Sequence, residues 1–473
     1  MSNASKLLVE DLRAALGAAQ VLTDPADIEP HLVEGRGLYR GSAIAVVRPG
    51  TTDEVAAVLR LARRHKVAVV AQGGNTGLVG GGVPQGGLVL SLARMNRIRE
   101  VDPVNMTLTA DSGAVLKMVQ EAASAAGCLF PLSLGSEGSC TLGGNLSTNA
   151  GGTAVLRYGN ARELALGLEV VLADGRIISD LNRLRKNNTG YDLRHLFIGA
   201  EGTLGIITGA VVKLFPQPKV RATAWVGLAS LQAALDLFAR FRQGAGDTLT
   251  GFEFMYRTIV DFMEKHRPDL VRPLEGKHPF HALIELTSPD PSLDLSARME
   301  EMLGSAFEDG LVSDATIAAS HAQSEALWHL RESMSDVQKL EGGSIKHDVS
   351  VPISRLVDFL DQATRACEAA LPGIRVCAFG HFGDGNIHFN LSQPVGMEKA
   401  AYLAMWGHFN EIVHDIAFSL GGSISAEHGI GLIKRDELPR YKDGVALEVM
   451  AEIKRALDPD NILNPGKVLV PRD

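Results

Sequence analysis

The sequence has only four cysteines among its 473 residues, and no two of them form a Cys-x-x-Cys pair. Cys128, Cys140, Cys367 and Cys377 all lie in sequence contexts typical of buried positions. This spacing argues against a disulfide framework or a cysteine-based zinc framework. We therefore expect four free, structural thiols.

Positive charge is also scarce, because 46 Lys and Arg residues stand against 55 Asp and Glu residues, for a formal net charge of −9. A nucleic-acid-binding protein needs clustered Lys and Arg to displace phosphate counterions. The balance of charge therefore argues against a nucleic-acid partner. An anionic ligand would have to be met by local positive groups.

Long apolar runs are missing as well. No stretch approaches the ~20 apolar residues of a membrane-spanning helix. The N-terminal segment has neither the basic region and apolar core of a signal peptide nor its cleavage site. We therefore expect no membrane span and a cytoplasmic location.

Glycine, by contrast, is abundant: most of the 50 glycines fall in the first half of the chain. There, β-branched runs alternate with Gly clusters and helical patterns, whereas helical patterns lengthen after about residue 221. These patterns predict an α+β fold. They divide the chain into a domain over 1–218, a second domain over 219–428 and a C-terminal helical segment over 429–473.

The sequence predicts three local elements of secondary structure, one helix and two β-hairpins. The segment 52–65 has the pattern of a helix, with Thr52 as its N-cap and acidic residues in its first turn. Segment 168–179 predicts a β-hairpin, in which Asp174 and Gly175 form a turn that requires positive φ at both positions. Segment 376–392 predicts a second hairpin, with its turn at Asp384-Gly385.

A Gly-rich loop over 73–82 follows the predicted strand that ends at Gln72. Its small side chains would let backbone N–H groups approach a diphosphate closely. A nicotinamide dinucleotide site is disfavoured, because the loop leads into another strand rather than into a helix. Two similar clusters lie over 131–152 and 195–208. Each cluster alone would be more typical of tight turns between strands, but three such loops in this order indicate an extended polar ligand.

His381 and His388 lie on either side of the second hairpin turn. Two imidazoles facing each other can chelate a divalent cation, and Glu427 in a Gly-rich segment is a candidate third ligand. The alternative is that both histidines are hydrogen-bonded core residues. His428, next to Glu427, has a side chain suited to accept a proton at neutral pH.

An ordered set of motifs runs along the chain. It comprises VVRPGTTDEV, QGGNTGLVGG, LGSEGSCTLGGNLSTNAGG, IGAEGTLGIIT, FGHFGDGNIHFN, SAEHGIGLIK and LDPDNILNPGKV. From about Val46 to Leu469 the sequence thereby resembles the FAD-linked oxidoreductases with the vanillyl-alcohol-oxidase-type fold, in the branch of D-lactate and D-2-hydroxyglutarate dehydrogenases. The resemblance implies an FAD-dependent D-2-hydroxyacid dehydrogenase with FAD in the first domain and substrate in the second.

The resemblance also implies a set of FAD-binding residues: Gly73, Gly74, Asn75, Thr76, Gly77, Ser133, Gly135, Gly143, Gly144, Ser147, Asn149, Gly152, Ile206 and Ile207. Family members with covalent flavin use a His or Cys near these loops, and Asn75 stands where such a His would be. Non-covalent FAD is therefore expected.

In the family resembled, the positions of His381, His388 and Glu427 hold a divalent metal, which we expect to be Zn²⁺, although Mn²⁺, Fe²⁺ and Co²⁺ also suit these ligands. The expected reaction has His428 removing the hydroxyl proton of a metal-chelated 2-hydroxy acid while the C2 hydride passes to flavin N5.

Arg331, Ser335 and Lys346 correspond to positions that surround the distal carboxylate in D-2-hydroxyglutarate dehydrogenases. Arg331 and Ser335 would share one helix face. D-2-hydroxyglutarate is therefore the leading substrate, with D-malate and D-lactate as alternatives, unless Arg331 and Lys346 are ordinary surface charges. Asn390, on the strand face of His388, is a candidate substrate ligand or a strand-end cap.

The sequence does not name an electron acceptor. The resemblance favours an electron-transfer flavoprotein or a quinone over NAD, and a homodimer is the commonest assembly for such chains. Two other classes stay open: the FAD subunit of a glycolate-oxidising electron-transfer complex, and a flavin-binding module without catalysis.

Overall fold

A computed structural model describes residues 3–470, which form two compact units. Unit 1 comprises the chain up to 151, 159–217 and the chain from 427 onward, and unit 2 comprises 152–158 and 218–426. These limits differ from the sequence-based division, since the C-terminal segment groups with unit 1 and residues 152–158 group with unit 2. Residues 1, 2 and 471–473, which the predicted first and third parts include, lie outside the described residues.

The strands of unit 1 are β1 (Val21–Leu22), β2 (Ala45–Val47), β3 (Val69–Gln72), β4 (Leu88–Ser91), β5 (Ile98–Asp102), β6 (Thr107–Asp111), β7 (Cys128–Leu129), β8 (Ala165–Val171), β9 (Ile177–Asp180), β10 (Ile206–Lys213) and β11 (Phe215–Pro216). A four-stranded sheet has the order β1-β2-β4-β3, with β4 parallel to both β2 and β3. A five-stranded antiparallel sheet has the order β5-β6-β10-β8-β9.

The α-helices of unit 1 are Asn3–Leu16, Pro25–Ile28, Thr52–Arg64, Leu116–Ala125, Leu142–Thr148, Ala161–Leu164, Arg194–Phe197, Leu438–Tyr441 and Gly444–Leu457. The helix predicted to begin at Thr52 does so, but its N-cap is Thr51, whose hydroxyl oxygen accepts the Glu54 N–H at 3.1 Å. Thr52 instead donates its hydroxyl to Glu169 at 2.7 Å. The predicted cap is therefore one residue too late.

The predicted hairpin of β8 and β9 is present, but its turn is longer than predicted. β8 ends at Val171 and β9 begins at Ile177, and Gly175 adopts positive φ whereas Asp174 does not. The Asp174 carboxylate accepts the Arg176 N–H at 3.0 Å, which closes the turn without a left-handed Asp. The prediction of positive φ at both positions was wrong.

The C-terminal segment of unit 1 adds backbone to the edge of β3. Val69 donates its N–H to Ile462 at 2.7 Å, and Asn464 donates its N–H to Val69 at 2.8 Å. The buried Asp458 carboxylate accepts the N–H groups of Ile462 and Leu463 at 3.0 and 2.8 Å and pairs with Lys454. These bonds make the end of the chain part of the sheet edge that carries the first Gly-rich loop.

The strands of unit 2 are β12 (Val220–Leu228), β13 (Leu249–Tyr256), β14 (Phe280–Ser288), β15 (Asp314–Ile317), β16 (Ser344–Ile345), β17 (Asp348–Ser350), β18 (Arg375–His381) and β19 (Asn386–Ser392). They form one antiparallel sheet of order β15-β12-β14-β13-β18-β19-β16, with β17 also paired to β19. Its α-helices are Val155–Tyr158, Leu231–Ala245, Arg257–His266, Leu295–Glu308, His321–Glu332, Met334–Val337, Leu356–Ala370, Lys399–Leu403 and Trp406–Ser419.

The hairpin predicted over 376–392 is confirmed: β18 and β19 are antiparallel and are joined through Gly385, which has φ +88°. The helix predicted to carry Arg331 and Ser335 on one face is interrupted. It ends at Glu332, Ser333 caps it, and a separate turn of helix begins at Met334. Arg331 is buried and Ser335 is exposed, so the two side chains do not share a face.

The prediction of an α+β fold is confirmed, since both units combine sheets with helices. The four cysteines, all within the described residues, are buried and free. Within residues 3–470, no helix is both long enough and apolar enough to cross a membrane.

Candidate functional site

A cavity in unit 1 brings the three Gly-rich clusters together. The first loop contributes all five of its predicted FAD-binding residues, 73–77, and the second cluster contributes Gly143, Gly144 and Ser147. Ile206 and Ile207, at the start of β10, complete the predicted part of the wall. The structure therefore assembles most of the predicted cofactor-binding residues around one cavity.

The glycines of this cavity are required for two different reasons. A Cβ atom on Gly73 would lie 2.1 Å from Thr141 Oγ1, and one on Gly74 would lie 2.0 Å from the Ser139 carbonyl oxygen. These two glycines allow the first and second loops to touch. A Cβ on Gly77 would meet nothing within 4 Å, although Gly77 lines the cavity. Its backbone is thus open to a ligand rather than packed against protein.

The helix Leu142–Thr148 presents one side to the cavity. Thr141 caps it by accepting the Gly144 N–H at 3.3 Å, and Gly143, Gly144, Ser147 and Thr148 line the cavity at helical spacing. Gly143 also packs on Ser112, which a Cβ would approach to 2.5 Å. Small side chains here let the ligand and the neighbouring strand approach the same helix.

Other predicted cofactor residues lie elsewhere. Within the described chain, Ser133, Gly135 and Asn149 are not among the residues that line the cavity. Ser133 donates its hydroxyl to Glu137 at 3.3 Å, and Asn149 ends its helix at φ +52° while its side-chain oxygen accepts the Arg162 N–H at 3.0 Å. Gly152 belongs to unit 2.

The polar residues of the cavity wall that sequence analysis missed include Glu34, Gln72 and Glu201. Gln72, the residue before the first loop, donates to the carbonyl of Gly82 at the end of that loop at 2.6 Å, and so holds the two ends of the loop together. It also donates to the His31 carbonyl at 2.8 Å. Glu201 was detectable as a lone acidic residue among Gly, Ala and apolar residues in the third cluster. An isolated charge in such a setting indicates a specific buried partner.

His428, the predicted base, lines the same cavity as the Gly-rich loops. Glu427, the residue before it, lies against the second cluster, because a Cβ on Gly151 would come within 2.6 Å of Glu427 Oε1. Both residues belong to unit 1. The predicted proton acceptor and the predicted flavin loops thus line the same cavity of unit 1.

The two predicted histidine ligands of unit 2 lie on the neighbouring strands β18 and β19, with their rings edge to face. Their ring centroids are 5.5 Å apart. His381 Nδ1 lies 2.7 Å from Glu253 Oε1, and His388 Nδ1 lies 3.7 Å from Asp348 Oδ1. A carboxylate on one ring nitrogen orients a histidine for metal binding through the other nitrogen. Sequence analysis had missed both carboxylates.

Glu253 also pairs with Arg331, whose Nη2 lies 2.6 Å from Glu253 Oε2. The Glu253 side chain is 1% exposed. Burial raises the pKa of its carboxyl, but His381 and Arg331 outweigh burial, so the pKa is lowered from its ordinary value. Arg331 additionally lies 4.9 Å from the Phe379 ring centroid. Arg331 is therefore a buried, paired cation and not an ordinary surface charge.

Asn390 lies within β19, two residues after His388 as predicted, and is buried. Its amide donates to Gln338 Oε1 at 3.0 Å, and Gln338 in turn donates to Ser392 Oγ at 3.0 Å. The alternative of a strand-end cap does not fit this mid-strand position. Lys346 is half-buried and follows β16.

Two protein-family models match the chain. One, an FAD binding domain, matches residues 43–180, and the other, the C-terminal domain of FAD linked oxidases, matches residues 217–468. The second match spans most of unit 2 and the end of unit 1.

Named relatives match along nearly the whole chain. D-2-hydroxyglutarate dehydrogenase, mitochondrial, from Bos taurus is 39% identical over 452 residues, which are 95% of this chain and 81% of that protein. D-2-hydroxyglutarate dehydrogenase from Xanthomonas citri pv. viticola is 37% identical over 463 residues, which are 98% of this chain and 97% of that protein.

Among solved structures, p-cresol methylhydroxylase with substrate bound aligns with a TM-score of 0.80 at 18% identity, over 99% of this chain and 98% of that chain. At this identity the likeness shows the fold alone. The vanillyl-alcohol-oxidase-type fold expected from the sequence is thereby confirmed.

The two roles of glycine in the cavity predict opposite outcomes for two alanine variants. Gly77→Ala should keep the apoprotein within about 1 kcal/mol of wild-type stability, but weaken FAD binding roughly tenfold or more, because the added methyl occupies ligand space. Gly73→Ala should destabilise the apoprotein itself. Chemical denaturation and FAD titration measure the two quantities.

Gly138→Ala is the matched control, since Gly138 has no atom within 4 Å of its Cβ position and does not line the cavity. Gly138→Ala should change neither the stability of the apoprotein nor its affinity for FAD. Unchanged FAD affinity in Gly77→Ala would contradict the assignment of this cavity to the flavin.

Proposed function

Because this chain belongs to the family of FAD-linked oxidases that includes the D-2-hydroxyglutarate dehydrogenases, we propose that it oxidises D-2-hydroxyglutarate to 2-oxoglutarate. The chain is an FAD-dependent dehydrogenase of D-2-hydroxy acids. The observation that carries the substrate proposal is the similarity, along nearly the whole chain, to proteins named D-2-hydroxyglutarate dehydrogenase. The position of His428 in the same cavity as the Gly-rich loops supports its proposed role as the base.

The cavity of unit 1 fits FAD. Gly77 and Gly143 present backbone without side chains, and Ile206 and Ile207 offer an apolar surface of the kind that an isoalloxazine ring packs on. Bound FAD supplies a hydride acceptor at N5. The Asn75 amide donates to the Val33 carbonyl at 3.0 Å and so fixes the conformation of the first loop. Because Asn75 stands where a flavin-linking His would be, we propose non-covalent FAD.

His381, His388 and Glu427 are the proposed ligands of one divalent cation, with Zn²⁺ as the first choice. The histidines fit this role, because their ring centroids are 5.5 Å apart, Glu253 lies within hydrogen-bond distance of His381 Nδ1, and Asp348 lies 3.7 Å from His388 Nδ1. A divalent cation supplies positive charge that makes a substrate hydroxyl more acidic.

His428 is the proposed proton acceptor for the C2 hydroxyl. A neutral imidazole can take this proton near pH 7, which leaves the electron pair on oxygen to form the carbonyl as the C2 hydride departs. Asn390 is the proposed partner of the C1 carboxylate, held by Gln338. Fixing the amide in this way lowers the entropy that substrate binding would otherwise cost.

The distal carboxylate is the proposed partner of Lys346, with Arg331 and Ser335 in supporting roles. Arg331 is already paired with Glu253, so Lys346 is the proposed main contact of the distal carboxylate. The second carboxylate of D-2-hydroxyglutarate can form a charge-assisted hydrogen bond with a Lys, whereas the methyl group of D-lactate cannot. D-malate and D-lactate are therefore the weaker alternatives.

An electron-transfer flavoprotein or a quinone is the proposed electron acceptor, and a homodimer the proposed assembly. The cytoplasmic location likewise stays a prediction, because the relative from Bos taurus is named as mitochondrial.

Anaerobic reduction of the bound flavin by single 2-hydroxy acids tests the proposed function directly. We expect D-2-hydroxyglutarate to bleach the flavin absorbance faster than D-malate, D-lactate or glycolate, and L-2-hydroxyglutarate to leave it unchanged. Stopped-flow absorbance at the flavin band gives the rates. Faster bleaching by D-lactate or glycolate would refute the substrate assignment.

Replacing Lys346 separates dicarboxylate recognition from chemistry. Lys346→Ala should lower kcat/KM for D-2-hydroxyglutarate roughly tenfold to hundredfold, the loss expected for one charge-assisted hydrogen bond. Its kcat/KM for D-lactate should stay near wild type. Lys339→Ala, which removes an exposed Lys from the same segment, is the control. An equal loss of kcat/KM for both substrates would show that Lys346 does not bind the distal carboxylate.

Removing metal should abolish turnover. After dialysis against EDTA we expect loss of activity with FAD still bound, and recovery on adding Zn²⁺, Mn²⁺ or Co²⁺. His381→Ala should lower bound metal measured by mass spectrometry, whereas His408→Ala, at an exposed histidine, should not. Full activity in metal-free enzyme would eliminate the metal from the mechanism.

A further inference from the structure

The buried carboxylate of Glu201 contacts the backbone that directly follows the proposed base. Its Oε1 accepts the Ile430 N–H at 2.7 Å and its Oε2 accepts the Gly431 N–H at 2.9 Å. Gly429 lies against the same group, since a Cβ on Gly429 would come within 2.7 Å of Glu201 Oε1. Three consecutive residues after His428 are thus fitted around one side chain.

The backbone of Glu201 is fixed as firmly as its side chain. Its N–H donates to the Ser147 carbonyl at 2.8 Å, and its own carbonyl accepts the Asn464 amide at 2.8 Å. Glu201 has φ +51°, a left-handed conformation that is uncommon for a residue with a side chain. Ser147 belongs to the helix that lines the cavity, so Glu201 links that helix to the segment after His428.

The charge of Glu201 is matched within the same unit. Lys434 and Lys467 are both buried, and both act on the carboxylate as cations. Among residues 3–470, Lys467 Nζ has no hydrogen-bond partner. Burial raises the pKa of the Glu201 carboxyl above its ordinary value, and the two N–H donors and the two lysines oppose that rise only in part. Two accepting oxygens, each facing an N–H, suit the ionised group.

From these contacts we propose that Glu201 is a positioning residue for His428. By accepting two successive backbone N–H groups it fixes the residues after His428, and so fixes where the imidazole stands relative to the cavity wall. This inference rests on the proposed role of His428 as base. Misplacing a catalytic group by about 1 Å costs on the order of a hundredfold in rate.

The experiment compares Glu201→Gln with wild type by anaerobic stopped-flow flavin reduction. Gln keeps the size of the side chain but replaces one acceptor oxygen by an NH₂ group that faces a backbone N–H. We expect the rate constant of flavin reduction to fall roughly tenfold to a hundredfold, with FAD content unchanged and the substrate dissociation constant within about threefold of wild type.

Asp458→Asn is the matched control. Asp458 is also a buried carboxylate that accepts two successive backbone N–H groups beside a Lys, but it holds residues 462 and 463 and does not line the cavity. Asp458→Asn should lower the free energy of unfolding about as much as Glu201→Gln does. It should leave the rate constant of flavin reduction near that of wild type. An equal loss of rate in both variants would assign Glu201 a structural role alone.

The double variant Glu201→Gln/His428→Ala decides whether the effect passes through His428. We expect Glu201→Gln to change the rate less than about twofold in the His428→Ala background, because the group that it positions is gone. An undiminished effect there would overturn the proposal. A wild-type rate in His428→Ala alone would instead overturn the proposed base.

Glu201→Asp is a milder second variant if Gln impairs folding. It keeps the charge but is one methylene shorter and reaches only one of the two N–H groups, so the rate should lie between those of wild type and Glu201→Gln. A wild-type rate in Glu201→Asp would contradict the proposal.

Discussion

A single methyl group would not fit between the two Gly-rich loops of unit 1. The Cα of Gly73 faces the Thr141 hydroxyl, and the Cα of Gly74 faces the Ser139 carbonyl, at separations that leave no room for a Cβ. This close approach brings the first loop against the cap of the helix Leu142–Thr148 and thereby defines the cavity wall. The relative position of these two loops depends on this contact, because protein interiors do not yield by an ångström at small cost.

Each unit also has a buried carboxylate beside its predicted chemical groups. Glu253 stands between Arg331 and His381 in unit 2, and Glu201 holds residues 430 and 431 in unit 1. Burying an unpaired carboxylate would cost several kcal/mol. The surrounding cations and N–H donors offset that cost, and in return each carboxylate restricts its partners to one geometry.

The sequence predicted well those features that depend on neighbouring residues. Gly385 and the alternating strands around it predict the hairpin of His381 and His388, and the spacing of small residues predicts the cavity loops. The sequence did not predict contacts between residues that are far apart in the chain. Glu253 is 128 residues from His381 and Glu201 is 229 residues from Ile430, so no periodicity could reveal either contact. Arg331 was predicted on a continuous helix, but Ser333 ends that helix by taking the His329 carbonyl as a hydrogen-bond partner.

The return of the chain to unit 1 after residue 426 bears on its synthesis. The edge of β3 pairs with residues 462 and 464, and the segment that carries His428 packs on Val79 of the first loop through the N–H of Leu432. During translation, unit 2 can fold while the flavin-binding unit still lacks the backbone that pairs with β3. The ribosome must therefore release the chain as far as residue 464 before β3 and the first Gly-rich loop acquire these neighbours.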